Sequence, residues 1–314
     1  VLGYVSGPYA GEPVEFAASG AYSRSLLGAL LLQAGAPPKE SRNAVSTSVR
    51  KTPEQQAQPI AQIGPTNLER GYIFKQGEED KIIKDWAFTY EQAHRAIEYI
   101  RNNDQTKARN ILNFFKSRAG KESGIFYTAY NVNTGLMAEW NNHSGPALWI
   151  GIAMARYTEK FGEDEYLKPM AELGNAIIRL QNKDKNNTTL FGSIPMSPSD
   201  KAVSTEHNLD AYVFLRYLGD KIKGDNSYKE AGKRAAKWID SVAYMQNEGR
   251  FIRGIKPDGG KDYAVATDVQ AWGATVAHLY KSDFTKVEPK RVLDFAEKNC
   301  RITTKWGGRD VAGF

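Results

Sequence analysis

Residues 204–214 read STEHNLDAYVF, and Glu206, His207 and Asp210 within them are three groups able to hold or transfer protons. Such side chains serve as general acids and bases when burial or a neighbouring charge moves their pKa toward neutrality. The same stretch also reads as the capped start of a helix. Ser204 or Thr205 suits the N-cap, with His207 at N3 in the first case and Asn208 in the second, so neither choice completes a capping box. Leu209, Tyr212, Val213 and Leu215 follow at helical spacing. An acid in a first turn gains roughly 0.3–1 kcal/mol from the helix dipole. That accounts for Glu206 without chemistry, but not for His207 and Asn208 beside it. Four polar side chains in one turn, ahead of a strongly apolar helix, describe a helix mouth that faces inward. Asp210 falls on the face of Glu206 one turn deeper, where orienting a neighbour or capping the core is its expected task. Asp268 opens a comparable stretch, ATDVQAWG, while Asp85 and Glu139 precede two further helical patterns.

Other chemistries find little support. His94, His143, His207 and His278 form no HxxxH or HxH pair, and the single cysteine, Cys300, has no histidine beside it, so no transition-metal site is expected. KPDGGKDY lacks the GK[ST] ending of a phosphate loop, no GxSxG occurs, and DKNN and PDGGKD do not have EF-hand spacing. No cofactor is predicted. The net charge of +6 is spread among acids without a run of five like charges, which argues against a nucleic-acid partner. One cysteine excludes an intramolecular disulfide. No segment reaches the ~18 apolar residues of a membrane span. The nearest, LLGALLLQAGA at 26–36, resembles a signal-peptide core but begins more than twenty residues in, so an amphipathic or buried helix is the expectation. The tripeptides at Asn142, Asn186 and Asn187 match the glycosylation acceptor, a pattern common by chance.

Stepwise along the chain, residues 1–70 are rich in Gly, Ala, Pro, Ser and Gln and predict an extended, irregular N-terminal arm with one short helix, lying on a surface of this chain or of a neighbour. From 71 to 314 the pattern is helical. The spacing predicts helices over 85–101, 105–120, 144–162, 164–182, 204–221, 226–245, 268–282 and 287–300. They form a repeat of about 60 residues: a helix, a turn, a second helix, then a loop with Gly and aromatics. The first helix of each unit is the more apolar and the second carries more Lys and Glu, as inner and outer helices of a two-layered array would. The prediction is an all-α fold, an α/α toroid or α-solenoid of antiparallel hairpins, with no sheet of more than two short strands. The long loops all precede inner helices and so gather at one end.

FTYEQAHRAIEYI, FYTAYNVNTG, SGPALWIGIAMARYTEKFGEDEYLKPMAELGNAIIRLQ and STEHNLDAYVFLRYLG together resemble bacterial members of the six-hairpin glycosidase superfamily, over roughly residues 80–310. The resemblance implies an (α/α)6 toroid whose loop-side face binds carbohydrate. Twelve helices complete such a ring. The sequence shows eight, plus one candidate in the arm, so the ring is open, or the arm or another chain completes it, or the polypeptide was processed. A sugar cleft there makes the two-carboxylate chemistry of glycoside hydrolysis the expected one, with a separation of ~6.5–9.5 Å if inverting. Glu206 is the candidate acid and Asp268 its partner across the mouth. His207 and Asp210 are candidate substrate ligands, as are Trp140, His143, Phe191 and Tyr263 on the loops, where aromatic faces stack on sugar rings; packing the loops onto the helix ends explains these aromatics equally well. Trp149, Trp238 and Trp272 lie inside helical stripes and read as core. The expected partner is an oligo- or polysaccharide and the expected setting secreted or cell-surface. The alternative is a non-catalytic subunit of an extracellular assembly, docking on copies of itself through residues 1–70.

Overall fold

The computed structural model describes residues 65–72, 74, 80–121, 124–306 and 309–314. They belong to a compact unit spanning Ala61–Phe314. The expectations for the arm fall almost wholly outside the described residues.

Among the described residues eight α-helices form four hairpins: α1 (Thr89–Arg101) with α2 (Gln105–Lys116), α3 (Ser144–Phe161) with α4 (Leu167–Leu180), α5 (Thr205–Lys221) with α6 (Ser227–Trp238), and α7 (Thr267–Leu279) with α8 (Pro289–Cys300). The first helices of the units pack in sequence, α1 on α3, α3 on α5 and α5 on α7, and each second helix packs outside its own partner. Apolar content follows this layering. In α3, 12 of 18 residues are buried, including Leu148, Ile150 and Tyr157, while in α8 only Val292 and Ala296 are. Each large apolar side chain taken out of water contributes about 1.5–3 kcal/mol, so the inner layer carries most of the stabilising burial. Glycine allows its close approaches: a methyl at Gly151 would overlap the ring of Phe214 on α5.

Two expectations are corrected here. Three-stranded sheets occur, β1 (Trp86–Phe88), β2 (Ala129–Asn131) and β3 (Met137–Glu139) in one, and β4 (Val203–Ser204), β7 (Gly254–Ile255) and β8 (Lys261–Asp262) in another. Two-stranded pairs join β5 (Tyr244–Met245) to β6 (Arg250–Phe251) and β9 (Ile302–Trp306) to β10 (Arg309–Gly313). Some helix boundaries also move. Trp86 belongs to β1, paired with Asn131, because loop backbone at the helix mouths must find hydrogen bonds and does so across neighbouring loops. The sixth helix ends at Trp238, and a π-turn over Ile239–Ala243 leads into β5.

The strands and loops hold each inner helix at its start, and do so in a repeating way. The hydroxyl of Thr89 donates to the Tyr127 carbonyl and its N–H to Thr128. Ser144 does the same to Pro195 (3.1 Å) and Met196 (2.7 Å), and Thr205 to Ile252 (2.8 Å) and Arg253 (2.9 Å). In each of these three cases the first residue of an inner helix grips two consecutive carbonyls in the loop that closes its own unit and leads to the next inner helix. A second lock uses the fourth residue. Gln92, Asn208 and Gln270 each pair through both amide atoms with the backbone N–H and C=O of one residue, Glu69, Ile194 and Phe251 respectively. Buried amides paired in this peptide-like way cost nothing in unsatisfied groups.

Candidate functional site

Counted from the first residue of each inner helix, the sequences are TYEQAH, SGPALW, TEHNLD and TDVQAW. The locks use the first position in α1, α3 and α5 and the fourth in α1, α5 and α7; α3 has Ala147 at the fourth. The second and sixth positions, one turn apart on one face, are Tyr90 and His94, Gly145 and Trp149, Glu206 and Asp210, and Asp268 and Trp272. They face one another between the four helices and form two tiers.

The upper tier carries the carboxyl pair. Asp268 lies within hydrogen-bonding reach of Glu206, and Tyr90 Oη donates to Glu206 Oε1 at 3.3 Å. Glu206 is half-buried and Asp268 exposed. Burial first, and the Asp268 charge second, push the Glu206 carboxyl up to about 7, against a pull downward from Tyr90. Tyr90 itself is held well above the ordinary phenol range by burial and then by Glu206, Asp210 and Asp268, so it remains a donor.

The lower tier is buried. Asp210 is fully enclosed, with Oδ1 accepting the Trp272 indole N–H at 2.9 Å. Burial and the nearby Glu206 raise its carboxyl well above the usual range. The Trp149 N–H is close enough to favour the Asp210 carboxylate, yet neither Trp149 Nε1 nor Asp210 Oδ2 completes a hydrogen bond. His94 stacks on Trp149 at 4.7 Å and against Tyr90 at 4.6 Å between ring centroids. Burial lowers its imidazole to about 4, which leaves it neutral.

The structure therefore brings together Glu206, Asp210 and Asp268. It sends His207 elsewhere: its Nδ1 lies 3.1 Å from Ser144 Oγ, and a methyl at Gly145 would overlap the imidazole. The Ser144 hydroxyl donates to Pro195, so it accepts from Nδ1–H and fixes that tautomer. His143 caps α3 with its ring 6.3 Å from that of His207. Trp140 and Tyr263 are 67% and 55% exposed on the loops after β3 and β8, available to a ligand and unused in the core. Phe191 is half-buried in a turn lying on α6, where Trp238 Nε1 donates to Thr189 O at 2.8 Å. That position is at the outer layer. Asp85 pairs with Arg70, and Glu139 accepts from Asn141. Tyr90, His94, Trp149 and Trp272 were not singled out in the sequence as site residues; the two tryptophans are buried as expected of core residues, but the Trp272 indole N–H donates to Asp210. Among the described residues no three His, Cys, Asp or Glu are arranged to hold a metal, and no helix is long and apolar enough to cross a membrane.

No family model matches the chain. A stretch of 140 residues is 26% identical to the genome polyprotein of poliovirus type 1 (strain Sabin), covering 42% of this chain and 6% of the polyprotein; at that identity and span it assigns no family. The fold has closer likenesses. Cellobiose 2-epimerase from Bacillus thermoamylovorans B4167 superposes with a TM-score of 0.55 at 15% identity, over 71% of this chain and 63% of that one. D-mannose isomerase gives 0.55 at 14%, over 76% and 65%. The family 76 glycoside hydrolase α-mannanase from Bacteroides thetaiotaomicron gives 0.53 at 12%, over 67% and 61%. The chain thus spans a little under two thirds of each neighbour. The likenesses establish the fold class: an α/α toroid of the six-hairpin glycosidase type, shared with hydrolases, epimerases and isomerases of sugars. At such identities they carry the fold alone.

Proposed function

We propose that this protein is a carbohydrate-active enzyme, glycoside hydrolase-like, acting on an oligo- or polysaccharide at the mouth between its inner helices. Glu206 is the proton donor and Asp268 the paired carboxylate. The observation that carries the reading is the contact between a half-buried carboxyl and an exposed one, which keeps a proton on Glu206 near neutrality and an approach open from solvent. The pair stands closer than the ~6.5–9.5 Å that an inverting water requires. Hydrolysis by inversion therefore needs the substrate to part them, and Asp268, on the exposed edge of α7, is the member free to move. Exposed Trp140 and Tyr263 then serve as stacking surfaces outside the mouth. A polymeric substrate suits a secreted or cell-surface location.

A second reading follows from the same closeness. Two carboxyls in contact suit removal and return of a proton at a sugar carbon, and two of the fold neighbours are named as a cellobiose 2-epimerase and a D-mannose isomerase. One experiment separates the readings. Purified protein is incubated in D2O with mannan, xylo-oligosaccharides, cellobiose and mannose, and followed by proton NMR together with a reducing-end assay. New reducing ends without deuterium at C2 support the hydrolase. Deuterium at C2 of a new epimer, or at C1 of a new ketose, supports the second reading. No change in any of these substrates removes both and leaves the non-catalytic scaffold.

A further inference from the structure

The first-position lock is closed in three of the four units and open in the fourth. Thr89, Ser144 and Thr205 each use a hydroxyl and an N–H to grip two consecutive carbonyls. Thr267 opens α7 as threonine opens α1 and α5, after an extended residue, Ala266 at φ −118° and ψ 123°. Yet among the described residues neither its hydroxyl nor its N–H meets an acceptor. The backbone ahead of it is open as well. β1 and β4, which lead into α1 and α5, pair with β2 and β7 beside the gripped carbonyls. Residues 263–266 pair with no strand and leave Tyr263 and Val265 exposed.

What fills the grip elsewhere is the segment that follows the second helix of the same unit. The gripped carbonyls come 11 and 12 residues after Lys116 at the end of α2, 15 and 16 after Leu180 of α4, and 14 and 15 after Trp238 of α6. The same interval from Cys300, the end of α8, reaches residues 311–314. In the third unit this segment is a hairpin, β5 with β6. Its ladder continues through the bond from the Ile252 N–H to the Ala243 carbonyl at 2.9 Å, so the gripped pair, Ile252 and Arg253, stands at the hairpin's open end. β9 with β10 takes the same place in the fourth unit, with Gly313 and Phe314 at its open end. The two hairpins differ in their cover. Phe251 of β6 is fully buried, and a methyl at Gly273 of α7 would overlap its ring. The described side chains of β9 and β10 are all exposed, although the register puts Ile302 and Val311 on one face. A two-stranded hairpin with an uncovered apolar face is marginal in water.

We propose that β9–β10 is a strap that closes on the mouth of α7, where the Thr267 hydroxyl and N–H donate to the backbone oxygens of Gly313 and Phe314. Closure completes the fourth lock, pairs donors that the open form leaves bare, and withdraws apolar residues of the hairpin and of segment 263–266 from water together. It also sets the strap beside Asp268, the residue after Thr267 and the exposed member of the carboxyl pair. The open strap leaves that carboxyl to solvent and the closed strap walls it in. Backbone and one hydroxyl make the grip, which therefore holds whatever the mouth acts on.

The test joins amide exchange to disulfide trapping in the full chain. In the wild type the Thr267 amide should exchange roughly tenfold or more slowly than an unstructured amide; exchange at the unstructured rate overturns the strap. For trapping, Ala266→Cys and Phe314→Cys are combined in a Cys300→Ser background under a glutathione buffer. A bond within one chain is expected, since closure brings the two Cα atoms within the ~7 Å that a disulfide spans. It should form at an unchanged rate with Thr267→Ser, which keeps the hydroxyl, and several-fold more slowly with Thr267→Val, which keeps the shape. No bond within the chain, although each cysteine alone reacts with a maleimide, overturns the proposal. A bond between two chains overturns it in favour of a strap supplied by a second copy, and equal rates for Thr267→Ser and Thr267→Val overturn the grip. None of these readouts depends on turnover, so the strap and the carbohydrate reading are decided separately.

Discussion

At the residue scale, the opposing environments of Glu206 and Asp210 make separable predictions. Glu206→Gln should abolish turnover and keep sugar affinity, because the amide preserves shape and removes the transferable proton. The same variant should change the pH dependence of stability. The folded Glu206 carboxyl titrates near 7 and the free one near 4.5. Between these values the folded state holds a proton that the unfolded chain has lost, so stability falls as pH rises through that window. Urea denaturation between pH 4.5 and 8 should show this decline in the wild type and a flatter profile in Glu206→Gln; parallel profiles would mean that the carboxyl is not perturbed. Burial disfavours a charge on Asp210, so Asp210→Asn, which keeps an acceptor for Trp272, should cost under ~1 kcal/mol. Asp210→Ala strands the buried Trp272 N–H and should cost about 1–3 kcal/mol. Equal losses in the two variants would contradict a role for Asp210 as the acceptor of the Trp272 N–H.

At the element scale, the hairpin period of about 60 residues could be read from the sequence because burial imposes a helical repeat of apolar residues. Ser204 was also recognisable as an N-cap, and its hydroxyl does accept from the His207 N–H at 3.4 Å. The six-residue register TYEQAH, SGPALW, TEHNLD and TDVQAW was present but hidden. Its meaning depends on where each helix starts, and in α1 and α7 the cap is Phe88 or Ala266, with no capping hydrogen bond from the side chain. Those starts are set by locks to distant loops, which local pattern does not reveal. For the same reason Trp149 and Trp272 read as core, since a stripe shows which face is buried and not whether that face lines a site. Aligning the Ser or Thr at each inner-helix start would have exposed the two tiers. Gly145 tests the geometry of the locks. Gly145→Ala drives a methyl into His207 and should break its bond to Ser144, with a loss of about 1–3 kcal/mol in chemical denaturation. A variant as stable as wild type would show that His207 is free to move aside.

At the scale of the whole molecule, the enzyme and assembly readings part over self-association. The toroid class was evident from sequence, whereas the small sheets that set the helix mouths were not, because their strands are two to five residues long and too short for a period-2 signal. The full 314-residue chain has a mass of 34.9 kDa. As an enzyme with a mouth open to solvent, it should elute and scatter light as a monomer of that mass at micromolar concentration. Growth of open-ended oligomers with concentration would instead favour the assembly subunit.

The locks at the first and fourth positions of the inner helices spend their hydrogen bonds on backbone, and backbone does not care what side chains stand next door. The second and sixth positions are consequently free to be rewritten. Eight sites, two on each of four helices, can exchange carboxylate for imidazole or indole while the grips on the loops keep every helix mouth in place. A lineage built this way changes its reaction by substitution alone, without insertions or a new framework. Hydrolases and isomerases can then share one scaffold while their sequences drift apart.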